Sequence, residues 1–458
     1  MNLIALVFFA VTAGALFVAP RRWAPVPLLA GCCYMTTGQG IELGPISLPV
    51  IRLLLAVGIL RVIVRGERMA GRVNAIDWCV IVFGAWTMFA SFFHNGIDSG
   101  PLFASGVVLN IGIIYYLTRV FCRSTEELVG LIKVVAILLV PIALEMAYES
   151  LTGKNLFAAL FGGSPLDVVM REGRLRARGP FRHAILAGTV AAACFPLMLG
   201  IRKRAPMVAR IGMFTTLAMV VMSASSGPVM SLVFAIGALC LWKFRRYARY
   251  IPHAAVAAYV ALELAMEKPA YYLMARIDLA GGSTGWHRSA LIDSAIRYLN
   301  EWWLFGTDYT RHWMPTGITF SSHHTDITNY YLGFGVIAGL PAFLAVVGAV
   351  AIAFRWCERA VRVPAQLLSR EDRWLIWCLG AGLFAHATAA ISVPYFDQSF
   401  VFFWFNVGVI SSFHSVLQVA RRKAAREARA AKAATGGDRK TVPPFPPRPA
   451  PAPSGAVS

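Results

Sequence analysis

Apolar runs of roughly 18 residues or more recur along nearly the whole chain, separated by short polar turns. They predict spans near 3–19, 24–37, 47–64, 76–93, 102–121, 128–148, 183–200, 206–223, 228–243, 251–266, 327–354, 373–391 and 399–419. One such run fits the core of a soluble protein, but a dozen do not. The expected fold is therefore an all-α integral membrane protein, a polytopic helical bundle of about 13 transmembrane helices (roughly 12 to 14). The bundle would take residues 1–420, leaving 421–458 as a basic and then proline-rich cytoplasmic tail with no apolar periodicity, expected to be disordered and to touch anionic lipid. The opening run lacks a basic leader and is followed by Arg21 and Arg22, which favours a first spanning helix over a cleaved signal peptide.

Composition agrees: 57% of the 458 residues are hydrophobic and 14% charged, with a mean hydropathy of +0.61. The net charge of +20 would suggest nucleic acid in a soluble protein. Here the cations sit in short loops between apolar runs, the usual topological bias of membrane proteins, so no nucleic-acid partner is inferred. The basic turns are Arg21 and Arg22; Arg65 with Arg68 and Arg72; Arg119 with Arg123; Arg202 to Arg204; Lys243 to Arg249; and Arg355 to Arg373. Intervening turns such as Gly38 to Gly44, His94 to Gly100 and Val393 to Gln398 carry almost none. This alternation puts the N-terminus outside and the C-terminus in the cytoplasm. Eight cysteines show no metal-ligand spacing and most fall inside apolar runs, so neither a disulfide framework nor a zinc site is expected. No G-x-x-x-x-G-K phosphate loop occurs.

Two long segments, 149–182 and 267–326, fall on the outer side of this topology. The first crowds Arg171, Arg174, Arg176, Arg178 and Arg182 ahead of the helix starting near His183, against the charge bias. Guanidinium forks bind phosphate oxygens bidentately and stay charged at any reachable pH. The competing reading is headgroup contact by an interfacial loop, because long loops cross the membrane largely regardless of charge. The second segment predicts an interfacial helix from Gly285 to Trp303, with Trp286, Leu291, Ile292, Ala295, Ile296 and Leu299 opposed to His287, Arg288, Asp293 and Arg297. Phe305-Gly306-Thr307 follows, then Ser321-Ser322-His323-His324-Thr325-Asp326 at the mouth of the next helix. A histidine there is a candidate base, since imidazole titrates near neutral pH, although such pairs are more often structural. A third outer turn, Ser223-Ala224-Ser225-Ser226-Gly227-Pro228, either allows close helix approach or presents hydroxyls to a polar substrate.

Taken in order, these pieces resemble the O-antigen ligase and Wzy-type polysaccharide polymerase superfamily of membrane glycosyltransferases. The pieces span roughly 175–345: Arg178 to Gly188, Ser223 to Ala235, Arg288 to Leu299, Phe305 to Thr307, and His324 followed by Gly335 and Gly339. The resemblance implies transfer of a glycan from a polyprenyl diphosphate carrier to an acceptor sugar hydroxyl, at the periplasmic face of the bacterial inner membrane, with no cofactor and no metal. It assigns catalysis to His324 and Arg288 and the diphosphate to Arg178 and Arg182, with His323, Asp326, Ser225 and Ser226 in support. Partners would be the lipid-linked oligosaccharide donor, the glycan acceptor, membrane lipid and polysaccharide export machinery. Ligase-type members commonly carry an arginine directly after the serines, where this chain has Gly227 and Pro228. That departure favours an exopolysaccharide or O-antigen polymerase over a ligase attaching finished glycan to lipid A-core.

Rival functions make different demands. A transporter of lipid-linked oligosaccharides should carry charges along a path through its helices, whereas Arg52, Glu145, Glu263 and Lys133 lie toward predicted helix ends. A metal-dependent glycosyltransferase with paired acids in its first outer loop finds only Glu42 there. A non-catalytic export or assembly factor would leave His324 dispensable.

Overall fold

The computed structural model describes residues 1–44, 46–94, 100–162, 170–171, 173–276, 285–314 and 321–436. Parts of both long outer segments and the proline-rich end, 437–458, lie outside the described residues, as does the side chain of Arg171. The helices are α1 (Leu3–Val18), α2 (Pro25–Tyr34), α3 (Val50–Arg65), α4 (Ala75–Ala90), α5 (Pro101–Phe121), α6 (Thr125–Thr152), α7 (Leu156–Phe161), α8 (Ala184–Gly200) and α9 (Pro206–Met222). They continue as α10 (Ser226–Cys240), α11 (Ile251–Ala265), α12 (Leu273–Arg276), α13 (Gly285–Arg297), α14 (Leu299–Trp302), α15 (Tyr330–Val361), α16 (Arg370–Ala389) and α17 (Ser399–Gly436). Among the described residues, strand is confined to two short antiparallel hairpins, one pairing Gly40–Leu43 with Ile46–Pro49 and one pairing Met170–Arg171 with Arg174–Leu175.

Among the described residues, six helical runs are long and apolar enough to cross a membrane: Ala75–Phe93, Pro101–Phe121, Thr125–Thr152, Ser226–Ala265, Tyr330–Val361 and Ser399–Ala431. Three shorter apolar helices, α1, α8 and α9, accompany them. The chain is thus an all-α protein with the helices of a membrane protein. Two predicted boundaries differ. The basic stretch Leu241–Tyr250, expected as a loop between two spans, is itself a 3₁₀ helix joining α10 to α11; it contains no glycine or proline to break it. Beyond Val416 the chain forms a separate unit. There α17 continues to Gly436, where disorder was expected from 421, because Ala, Arg, Lys and Glu are good helix formers and proline is absent until 443.

Helix starts follow side-chain caps. Asn74 accepts from the backbone N–H groups of Ile76 and Asp77 while Asp77 returns a bond to Asn74, and Ser124, Asn329 and Ser369 cap α6, α15 and α16. At the centre, α8 is buried along most of its length and packs on α9, α10 and α16. Its small residues permit this, since a Cβ on Gly188 would stand 2.6 Å from Ser223 Oγ and 2.7 Å from Pro228 Cγ.

Two arginines are wholly enclosed: Arg119, which the sequence places in a basic turn, and Arg61. Arg119, in the last turn of α5, donates from Nη1 to both Asp77 oxygens at 2.6 and 2.7 Å and to Ser411 Oγ at 2.8 Å, tying α5 to α4 and α17. Tyr115 donates to the same carboxylate at 2.6 Å. Arg61 of α3 donates to Leu16 O and Ala19 O, both at 2.6 Å, so it caps the end of α1 while paired with Glu67 at 2.7 Å. Each guanidinium answers carbonyls or a carboxylate that lipid would leave unsatisfied.

Helix α15 breaks at Ala338 and Gly339. Three of the groups at the break find partners outside the helix: Val336 O accepts from Thr307 N at 2.8 Å, Ala338 O from Trp86 Nε1 at 2.8 Å, and Leu340 N donates to Trp303 O at 2.8 Å. The segment 303–307 therefore docks into the break. It fits because Gly306 (φ 95°) and Gly339 (φ 77°) adopt left-handed backbone, and a Cβ on Gly339 would lie 2.0 Å from Leu304 O. Gly339→Ala should lose at least about 2 kcal/mol of stability, read as a lowered midpoint of thermal unfolding in detergent. A midpoint equal to wild type would contradict this packing.

Candidate functional site

The arginine segment 176–182 is a strap whose backbone is held at almost every residue. Glu149, near the end of α6, accepts through Oε2 from Arg178 N (2.8 Å) and Gly179 N (2.9 Å). Asn155 donates to Gly179 O at 2.8 Å and Gln398 to Pro180 O at 2.8 Å. Asp397, just before α17, accepts from Arg182 N at 2.9 Å through one oxygen and from Ser399 N at 2.9 Å through the other. Ala177 N donates to Met222 O at 3.1 Å, fastening the strap to the end of α9. Burial raises the Asp397 carboxyl above its ordinary value, while the donors on Ser399 and Arg182 pull the other way.

Because the acids hold peptide groups, the guanidinium groups are only loosely engaged. Arg178 Nε lies 4.0 Å from Glu149 Oε1 and its Nη1 donates to Arg182 O at 3.5 Å. Arg182 is exposed, with its guanidinium 5.7 Å from the Phe396 ring. Both line a cleft of about 190 Å³ with Thr36, Thr37, Gly38, Ala158 and Gly162. Arg176 points elsewhere, donating to Ser225 Oγ at 2.6 Å, and Ser225 in turn donates to Ser223 O at 2.8 Å. Ser223, Ser225 and Ser226 are buried, and Ala224 takes a left-handed φ of 42°. The serine turn thus makes a tight reversal under Gly188 and anchors Arg176.

The second group surrounds Thr310, which is fully buried. Its N–H donates to His323 O at 2.9 Å, and its Oγ1 accepts from Thr325 N at 3.2 Å and lies 3.2 Å from His324 Nδ1. If His324 Nδ1 carries the proton, the threonine oxygen accepts it and the basic lone pair falls on Nε2. The His323 ring is exposed beside Ser322 Oγ (3.0 Å), and its carbonyl does the structural work. Asp326 offers its carbonyl to His287 Nε2 at 3.0 Å. Burial raises the Asp326 carboxyl above its ordinary value, against the opposing charges of His287 and Arg288. Arg288, His287 and Asp326 are therefore neighbours.

Helix α13 departs from its expected form. It ends at Arg297, and Tyr298 interrupts it before α14. His287, expected on the polar outer face, is fully buried, whereas Trp286 and Ile296 are exposed. The reason is a second apolar cluster: Leu291 and Ala295 pack with Trp302, Trp313, Leu332 and Val336, which turns the His287 side inward. The Phe305–Thr307 element is docked by His94, whose ring nitrogens lie 2.6 Å from Asp308 Oδ1 and 2.8 Å from Phe305 O, and by Phe93, stacked on Phe305 at 4.0 Å.

The strap and the histidine loop are held by different partners and meet through the chain between α16 and α17. Ala390 O accepts from Tyr330 N at 2.8 Å, at the start of the helix after His324, and Asp397 and Gln398 grip the strap. Glu149, Asp397, Thr310, His287 and His94 were not among the sequence-predicted site residues. Glu149 left a signal, an acid at the end of a long apolar run that needs a partner. Among the described residues no group of three or more His, Cys, Asp or Glu is arranged to hold a metal ion. Compared with known protein families the chain matches none, and no curated protein is significantly similar to it.

Glu149→Ala removes two charge-assisted bonds of about 1.5–3 kcal/mol each and should release the strap. In a background with exposed Cys240 changed to Ser, Ala177→Cys should resist a maleimide when Glu149 is present and be labelled when it is Ala; equal labelling would contradict the anchoring. Asp326 gives a pH test. A carboxyl whose value is raised on folding binds its proton more tightly in the folded chain, so its contribution favours the fold at low pH and is lost as pH rises. Asp326→Asn should gain stability relative to wild type as pH rises above about 4, where the unfolded carboxyl ionises, and a gap independent of pH would contradict the burial.

Proposed function

We propose that this protein is a glycosyltransferase of the bacterial inner membrane, with about thirteen spans, its N-terminus and both long segments at the periplasmic face and its C-terminus in the cytoplasm. The donor is a glycan on a polyprenyl diphosphate and the acceptor is a sugar hydroxyl. The observation that carries this reading is the strap. Two arginines with backbone fixed by buried carboxylates line a cleft of about 190 Å³, the Arg182 guanidinium exposed and that of Arg178 paired with Glu149 only at 4.0 Å, so both can reach an anionic ligand.

In the proposed reaction the acceptor oxygen attacks the anomeric carbon, the bond from that carbon to the diphosphate oxygen breaks, and configuration inverts. His324 takes the acceptor's proton, oriented by Thr310. Arg178 and Arg182 stabilise the charge gathering on the diphosphate, and Arg288, beside Asp326, adds to it. An opposite charge at 4 Å contributes about 4 kcal/mol in a partly screened setting, so two arginines supply a substantial share of a typical enzymatic barrier reduction. Ser225 and Ser226 support the strap rather than the substrate in this scheme, and His323 shapes the loop.

Polymerase is favoured over ligase. Where ligase-type relatives place an arginine, this chain packs Gly227 and Pro228 tightly: a Cβ on Gly227 would stand 3.2 Å from Ile185 Cδ1. The test is polymer formation by His324→Ala, Arg182→Ala and Arg288→Ala variants in cells lacking the native protein, with membrane levels matched by immunoblot. The expected result is normal insertion, polymer reduced by at least about 100-fold, and accumulation of single lipid-linked repeats. Completed chains stranded on the carrier would indicate a ligase, and polymer at wild-type level would overturn the active-site assignment in favour of transport or assembly.

A further inference from the structure

Far along the chain from the strap, the 3₁₀ segment Leu241–Tyr250 interleaves Lys243, Arg245, Arg246 and Arg249 with Trp242, Phe244, Tyr247 and Tyr250 and contains no acid. Several other basic positions are answered internally: Arg21 by Glu127, Arg61 by Glu67, Arg119 by Asp77 and Arg204 by Asp372. Here the cations rest on aromatic rings instead, Arg245 4.4 Å from the Trp242 ring, Arg246 4.6 Å from Tyr247 and Arg249 4.6 Å from Tyr250. Phe244, Tyr247 and Tyr250 are exposed beside them. The segment runs directly into α11, which has no buried residue and is apolar along nearly its whole length.

We propose that this segment and α11 form a binding site for an anionic diacyl lipid, with the phosphate on the four cations and the acyl chains along α11. Each half of the surface asks for one half of such a molecule. Ammonium and guanidinium groups without carboxylate partners attract a phosphate, tryptophan and tyrosine favour headgroup depth, and an apolar helix exposed all round needs hydrocarbon. A second copy of the chain suits it poorly. Two-fold pairing of this surface would set four cations against the same four with no acid between them.

The test uses the full-length protein purified in nanodiscs of equal phosphatidylglycerol and phosphatidylcholine, with retained lipid read by native mass spectrometry. Wild type should enrich phosphatidylglycerol, and the combined variant Lys243→Gln, Arg245→Gln, Arg246→Gln and Arg249→Gln should lose at least about tenfold of that enrichment, each cation near an anionic surface contributing roughly fivefold. A variant neutralising Arg421, Arg422, Lys423 and Arg426 in the tail, whose contact with anionic lipid is diffuse, should lose no more than about twofold. If the combined variant fails to insert, Arg246→Gln and Arg249→Gln singly carry the test, each with a drop of roughly two- to fivefold. Unchanged enrichment in the segment variants, an equal loss in the tail variant, displacement of the lipid by inorganic phosphate, or two protein copies bound in place of lipid would each overturn the proposal.

Discussion

The candidate site depends on two buried carboxylates being directed chiefly at peptide N–H groups, with Glu149 approaching a guanidinium, that of Arg178, only at 4.0 Å. Glu149 holds Arg178 and Gly179, and Asp397 holds Arg182. Had either acid taken a bidentate arginine pair, as Asp77 takes Arg119, the positive charge would be neutralised within the fold. Held through the backbone, the strap keeps the Arg182 guanidinium exposed and the Arg178 guanidinium only loosely paired, 4.0 Å from Glu149 Oε1. Charge that is positioned in advance needs no reorganisation when a leaving group develops its own, and this makes such an arrangement useful for transfer from a diphosphate.

The second constraint is the break in α15. A helix interrupted among apolar neighbours must satisfy its backbone elsewhere, and the segment 303–307 does so through Thr307 and Trp303, with Trp86 completing the set. The segment docked in the interruption also fixes the loop that follows that segment. Phe305 is clamped by His94 and Phe93, and three residues beyond Thr307 the chain reaches Thr310, which orders His323, His324 and Thr325. The glycines at 306 and 339 thus act on the histidine loop from a distance.

The apolar periodicity made the helices legible, and their caps made many of the boundaries so. The sequence was less informative where tertiary packing decides. Arg119 reads as part of a basic turn but lies enclosed with Asp77, because a guanidinium one helical turn inside a span can be met by an acid from the neighbouring helix. His287 reads as polar surface but is turned inward by the packing of Leu291 and Ala295. Within the candidate site, Arg178, Arg182 and His324 were legible as chemistry out of place. Asp397 was not, and Glu149 showed only as an acid ending a long apolar run, since a carboxylate that accepts from peptide N–H groups has no sequence partner to reveal its role. The serine turn was legible as a turn, and its role in holding Arg176 came from an interaction across 49 residues.

The central claim is that the strap's arginines serve a diphosphate leaving group. It is tested most directly with purified protein in liposomes carrying the polyprenyl-diphosphate-linked repeat unit, measuring free polyprenyl diphosphate against glycan length. The account predicts release in step with lengthening and a fall of at least about 100-fold when Arg178 and Arg182 are both changed to Ala. It predicts no change for Arg210→Ala, whose exposed side chain only meets Pro206 O. Glycan lengthening with undiminished release in the double variant would contradict it, as would movement of the intact lipid-linked repeat across the bilayer with no carrier released.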